Sequence, residues 1–292
     1  EAICAAAVSH ARTAIGDLPG RYVVGSMGPT TKLPSLGHVD FDTMHAAYVR
    51  PIRALLEAGA DAILFETCQD LLQVKIALIA CRDAMDELGI EVPVMVSITV
   101  EATGTMLVGS DVAAAVAAIE PFGVFSLGLN CATGPAMMAS HIRTLAQTWP
   151  GRISCIPNAG IPQIVDGRTA YPLTPAAFAE HLKAFVVTDG VSIVGGCCGT
   201  TPEHIAALGA ALEGAAPAAR SPAYTPSLAS AYEAVPIAQP LGPLLIGERA
   251  NANGSKAFRE LLLADDFTGA AAVVTAQVAD GAHAVDLCTA YA

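Results

Sequence analysis

Six short runs rich in β-branched and apolar residues recur at 22–25, 62–66, 94–99, 124–130, 153–157 and 192–196. They lie about 28 to 40 residues apart, room for a strand, a helix and two loops. Parallel strands with helical crossovers follow, so the expected class is α/β built from βα repeats. Segment 1–16 reads as a helix, ended by Gly16, Pro19 and Gly20. Thr174 before Pro175 supplies a capping hydroxyl and a first-turn proline, and Thr200-Thr201-Pro202-Glu203 has capping-box spacing.

The pattern changes at 214–243, where Pro217, Pro222, Pro226, Pro236, Pro240 and Pro243 are scattered among Ala and Ser. This stretch is expected to be an extended linker with few contacts of its own. Beyond it come an apolar run at 244–247, a polar loop at 248–255, a helix from about Lys256 and a strand at 284–288, the opening of a second α/β unit. Because the chain begins at Glu1 and stops at Ala292, we read it as a fragment cut at both ends.

With 53% hydrophobic and 14% charged residues the chain is outside the disordered class. Its apolar stretches are broken by Gly, Pro or charge well short of the ~20 residues that span a bilayer. A net charge of −12 argues against nucleic acid or an anionic membrane as partner, since phosphates need clustered Lys and Arg. A small molecule fits better. Eight cysteines, two of them adjacent, do not form a secreted disulfide framework, and no signal peptide is present, so a cytoplasmic location is expected.

Three cysteines fall where strands end: Cys131 in GLNCATGP (128–135), and Cys197 and Cys198 in IVGGCCGTTPEH (193–204). If the sheet curls into a barrel, these ends share the rim on which active sites are built. Three thiolates suit zinc, and a fourth position left open marks a catalytic rather than a structural site. Gly195, Gly196 and Gly199 are expected to give the backbone the freedom that two adjacent ligands need. A redox pair is the alternative reading of Cys197 and Cys198. Cys4, Cys68, Cys81, Cys155 and Cys288 read as small hydrophobes. None of the seven histidines stands in an H-x-x-x-H pair, which favours an all-sulfur centre.

At these residues the chain resembles the homocysteine S-methyltransferase family, whose zinc site takes one Cys after a strand-end Asn and two from a Gly-Gly-Cys-Cys-Gly turn. Further matches run in order through residues 1–213: GSMGPT (25–30), ILFETC (63–68), PNAGIP (157–162) and TTPEHI (200–205). The resemblance implies a (β/α)8 TIM barrel over 1–213. It also implies zinc on Cys131, Cys197 and Cys198 that presents homocysteine as a thiolate, with no further catalytic side chain. The family's glutamate for the substrate ammonium matches Glu66, and Asn158 is expected beside it as a polar substrate contact. Asn130 is expected to orient a ligand. IGERANANGS (246–255) and AHAVDLC (282–288) look like the start of the pterin-binding domain in the cobalamin-dependent branch. There the methyl group comes from methylcobalamin on a downstream module and from methyltetrahydrofolate. Glu248, Asn251 and Asp286 are the candidate pterin contacts.

The family's opening Asp-Gly-Ala-Met-Gly-Thr-like strand has no counterpart in this chain. The barrel is therefore expected to lack its first two strands, and the isolated chain to be marginally stable. The alternatives are a stand-alone methyltransferase using betaine or S-methylmethionine, against which residues 244–292 argue, and a non-catalytic thiolate-zinc module.

Overall fold

In the computed structural model, which describes residues 1–291, the chain divides into two compact units, Glu1–Tyr224 with Ala229–Glu233, and Thr225–Leu228 with Ala234–Ala292. In the first, helix α1 (Ala2–Ile15) precedes strand β1 (Val24–Met27). There follow α2 (Phe41–Glu57), β2 (Ala62–Cys68), α3 (Leu71–Leu88), β3 (Val94–Ile98), α4 (Val112–Ile119), β4 (Ser126–Asn130), α5 (Pro135–Thr148) and β5 (Arg152–Ile156). A hairpin of β6 (Gln163–Val165) and β7 (Arg168–Ala170) then leads to α6 (Pro175–Asp189), β8 (Ile193–Val194) and α7 (Pro202–Leu212). The main sheet is parallel and curled, in the order β1-β2-β3-β4-β5-β8.

Alternation along the strands decides what each face does. Ile63, Phe65, Val96, Ile98, Leu127, Leu129, Ile153 and Cys155 point into one apolar core with residues of α2–α6. The intervening positions put Glu66, Ser97, Ser126, Gly128, Asn130 and Ser154, small or polar groups, on the other face together with the apolar Leu64, Met95 and Ile156. Gly128 is required there, because a Cβ would lie 2.0 Å from Ser154 Oγ and 2.1 Å from the Ser154 carbonyl oxygen.

The helices start where the sequence caps them. Asp40, Asp70, Asp111 and Thr174 each accept a first-turn N–H, and Pro175 opens α6. At α7 the cap is Thr201, and its partner is His204 rather than Glu203. Thr201 N–H donates to His204 Nδ1 at 3.2 Å, while His204 Nε2 lies 2.9 Å from the Leu173 carbonyl oxygen. The imidazole is therefore the neutral Nε2–H tautomer.

Several expectations need correction. The first strand starts at Val24 rather than residue 22, and the last stops at Val194, before the glycines turn into the cysteine loop. The β6–β7 hairpin was not foreseen, although Asp166 and Gly167, both at positive φ, form the two-residue turn such a hairpin needs. Residues 214–224 are not a free linker. Ala218 N–H donates to Val186 O and Ala223 N–H to Gln147 O, and the Arg220 guanidinium reaches the carbonyl oxygens of Ala146, Trp149 and Gly151. Farther on, Tyr232 lies against Gly109, and its carbonyl accepts from Asp111 N–H at 2.8 Å. Proline spacing cannot reveal such anchors, because they depend on which carbonyls the fold leaves open. Arg220→Ala is expected to cost about 1–2 kcal/mol, since several half-buried carbonyls lose a charged donor. Thermal unfolding should show this as a Tm lower by roughly 3–6 °C.

Short strands β9 (Ser227–Ala229) and β10 (Ala234–Pro236) lie in the proline-rich stretch. The second unit then pairs β11 (Ile246–Asn251) in parallel with β12 (Ala284–Cys288), with α8 (Lys256–Leu263) and α9 (Phe267–Ala279) between them. Its core is Ala250, Ala252, Phe258 and Ala270. The expected loop at 248–255 starts as strand. The ladder is irregular between Gly247 and Ala250, which lets Glu248 and Arg249 sit in a strand without matched partners. The single expected helix is two, because Asp265 takes positive φ and Asp266 caps α9. Among the described residues no helix is long and apolar enough to cross a membrane.

Candidate metal centre

Strand β4 ends at Asn130, and the chain immediately enters two left-handed residues, Cys131 (φ 61°) and Ala132 (φ 52°). Non-glycine residues in this region carry a conformational cost and persist where the surroundings enforce them, often at functional sites. Thr67, after Glu66 at the end of β2, is a third (φ 57°). The loop after β8 brings in the other two sulfurs. Cys197 N–H donates to Pro157 O at 2.9 Å, the Cys198 carbonyl accepts from Ala159 N–H at 2.9 Å, and Cys198 N–H donates to Asn158 Oδ1 at 3.1 Å. The glycines act unequally. Only Gly199 takes positive φ (77°), and a Cβ there would enter the Tyr171 ring at 2.1 Å. Gly196 lets Thr200 approach, and Gly195 has ordinary contacts.

Cys131 Sγ lies 3.9 Å from Cys198 Sγ, Cys197 Sγ lies 4.0 Å from Cys198 Sγ, and all three are within 4.8 Å of one another. An ion with ~2.3 Å bonds to tetrahedral thiolates needs sulfurs about 3.8 Å apart, so the three can hold a metal with little movement. Proximity also divides their acidity. Cys131 is held down at about 5, chiefly by the hydrogen bond from Cys197 and, against the opposing effect of burial, by Ala132 N–H, Cys198 and Asn158. Cys197 moves upward, because its proton is shared with Cys131 and its own thiolate would face a charged neighbour. Between these two the negative charge is favoured on Cys131. By contrast, burial pushes the Cys68 and Cys81 thiols up to about 12 and Cys155 up as well, so these behave as packing.

Asn158 is buried against the cysteine loop. Glu66, half-buried at the end of β2, accepts a hydrogen bond from Ser26 Oγ on β1. Asn130, fully buried, joins Glu66's strand to the sulfurs: its Oδ1 accepts from Thr67 N–H at 2.8 Å, and its Nδ2 lies 3.9 Å from Cys197 Sγ. The sequence reading missed Thr67, whose left-handed backbone no Thr advertises. It also missed Tyr171, whose hydroxyl is pushed upward by desolvation and then by Cys198. Tyr171 follows the unforeseen hairpin, which returns it to the rim. A separate cleft of about 810 Å3, lined by Leu78, Met85, Val94, Phe122 and Val124, opens at the amino ends of β3 and β4, the opposite end from the sulfurs.

The candidate pterin contacts lie in the second unit. Glu248 and Asp286 are exposed, while Asn251 Oδ1 already accepts from Asn253 and Gly254 N–H, shaping the loop before α8.

Fold and site together define an α/β protein with a three-thiol centre at the carboxyl ends of a curled parallel sheet. The family model described as homocysteine S-methyltransferase matches residues 1–212, and the chain belongs to that family. It is 49% identical over 271 residues to the methionine synthase of Mycobacterium tuberculosis (strain ATCC 25618 / H37Rv), covering 93% of this chain and 23% of that protein. Against the methionine synthase of Mycobacterium leprae (strain TN) it is 49% identical over 276 residues, with the same coverage. The chain thus spans about a quarter of the length of these relatives. The crystal structure of the apo homocysteine methyltransferase MmuM from Escherichia coli superposes with a TM-score of 0.56 at 24% identity, covering 72% of each chain. The metallated form gives 0.54 at 24% identity, over 72% of this chain and 70% of that one. At this identity the likeness bears on the fold alone.

Proposed function

We propose that the chain is the homocysteine-activating part of a cobalamin-dependent methionine synthase. The observation that carries this reading is the convergence of Cys131, Cys197 and Cys198, with Asn158 against them and Glu66 tied to the same rim. Zinc is the ion that suits three thiolates, and when bound it lowers the pKa of an added thiol, normally about 8.5, so that the thiol is presented ionised. The residues do the rest. Glu66 receives the substrate ammonium, Asn158 makes a polar contact beside it, and the rim leaves one side of the sulfur cluster open. Homocysteine sulfur then attacks a methyl group and gains it, while the carrier that loses the methyl keeps its bonding electron pair. The carrier would be methylcobalamin on another module, with methyltetrahydrofolate as the source of its methyl group; the roughly fourfold greater length of the relatives supports further modules.

The six-stranded sheet supports a (β/α)8 barrel of which it supplies six strands. Residues 1–213 are assigned to the homocysteine barrel, and 214–243 to a connection whose first part, 214–224, packs on that barrel. Residues 244–292 begin the pterin-binding domain, with Glu248, Asn251 and Asp286 as contacts. The test is zinc binding by the chain followed by homocysteine titration. One zinc per chain, with homocysteine sulfur entering its coordination shell by X-ray absorption, is the expected result. Zinc that excludes homocysteine would leave the non-catalytic reading, and absence of zinc binding would end both.

A further inference from the structure

The Asn130 side chain has its amide orientation fixed by a neighbour that can act only one way. Thr67 N–H is a donor, so the atom 2.8 Å from it must be the oxygen Oδ1. Ser97 Oγ, 2.7 Å away, donates to the same oxygen. The Nδ2 protons then point the other way, one to Thr67 Oγ1 at 2.8 Å and one toward Cys197 Sγ at 3.9 Å. Asn130 has no exposed surface, so an N–H without an acceptor would carry the desolvation cost of an unmade hydrogen bond. The sulfur is thus the fourth partner of a fully engaged amide.

We propose that Asn130 is a positioning residue for the metal centre, donating an N–H to the Cys197 thiolate and setting that sulfur's place relative to the Glu66 strand end. The inference rests on the zinc reading and extends it. The N–H fixes the position of the sulfur and the direction of its lone pairs, so the ligand meets the metal without having to reorganise. Partners that hold metal ligands commonly matter by 10–100-fold in affinity. The same amide grips Thr67, so the sulfur and the carboxylate at the end of β2 share one anchor.

Asn130→Asp keeps the shape and both hydrogen bonds accepted by Oδ1 but loses both donors and turns an oxygen toward Cys197. Zinc affinity measured by chelator competition should fall on the order of 10–100-fold, with the melting curve still cooperative. In the cobalt-substituted chain the sulfur-to-cobalt charge-transfer band should shift. A second measurement needs no variant: with 113Cd in the wild-type chain, an Asn130 side-chain amide proton should show coupling to the metal across the N–H···S bond. Unchanged affinity and an unmoved cobalt band in a folded Asn130→Asp chain would overturn the proposal. So would the absence of coupling with the Asn130 amide signals assigned. If the wild-type chain itself bound no zinc, the functional reading would fall along with it, which separates the two outcomes.

Discussion

Cys198→Ser is expected to lower zinc affinity by on the order of 100-fold, while Cys4→Ser leaves it unchanged. A three-thiolate site with an apparent binding free energy of at least ~10 kcal/mol loses roughly a third of it with one ligand, and each 1.4 kcal/mol is tenfold. Cys198 is the informative choice because it is exposed, whereas Cys155 is packed in the core. A serine there removes a sulfur and leaves the fold intact. Chelator competition at fixed pH measures the change, and a melting curve checks that the protein is folded. If each of Cys131, Cys197 and Cys198 could be replaced by serine with less than a threefold change, the cluster would not be a metal centre. A dependence on Cys197 and Cys198 alone would favour a thiol pair, the redox alternative.

The meeting of the three sulfurs was legible in the sequence because its signal is local: a Gly-Gly-Cys-Cys-Gly turn after an apolar run, and a Cys directly after a strand-end Asn. Strand ends in a parallel sheet lie on one rim, so two distant motifs can be placed together without knowing the strand order. What the sequence hid was longer in range or unusual in conformation. Arg220 holds three carbonyls that are open only because α5 ends as it does at Trp149. Tyr171 reaches the cysteine loop because the Asp166-Gly167 turn folds its hairpin back, and Thr67 and Ala132 take a backbone region their types rarely occupy. In the second unit, Glu248 looked like a loop residue because charge mid-strand is uncommon. A ladder irregularity at that point accommodates it. Asp70 shows the same limit: its place before α3 marks a cap, and it does cap that helix, but the sequence does not reveal that it is fully buried and also accepts Ser35 N–H and Oγ–H.

Glu66→Gln is expected to weaken homocysteine binding by roughly 10- to 100-fold while leaving zinc affinity unchanged. The substitution keeps the shape and an oxygen that can still accept from Ser26 Oγ, so the strand end should hold its place. It removes the negative charge meant for the substrate ammonium. Hydrogen bonds to charged groups are worth about 1.5–3 kcal/mol, and a half-exposed carboxylate belongs at the lower part of that range. Charge recognition can be separated from general damage by 4-mercaptobutanoic acid, which has the thiol and carboxylate of homocysteine but no amino group. The wild-type chain should prefer homocysteine to this analogue, and Glu66→Gln should erase most of that preference while binding the analogue about as well as the wild type does. Equal weakening of both ligands would make Glu66 a structural support. Unchanged homocysteine binding would move the ammonium site elsewhere on the rim, with a zinc ion on the three sulfurs still able to take the substrate thiolate.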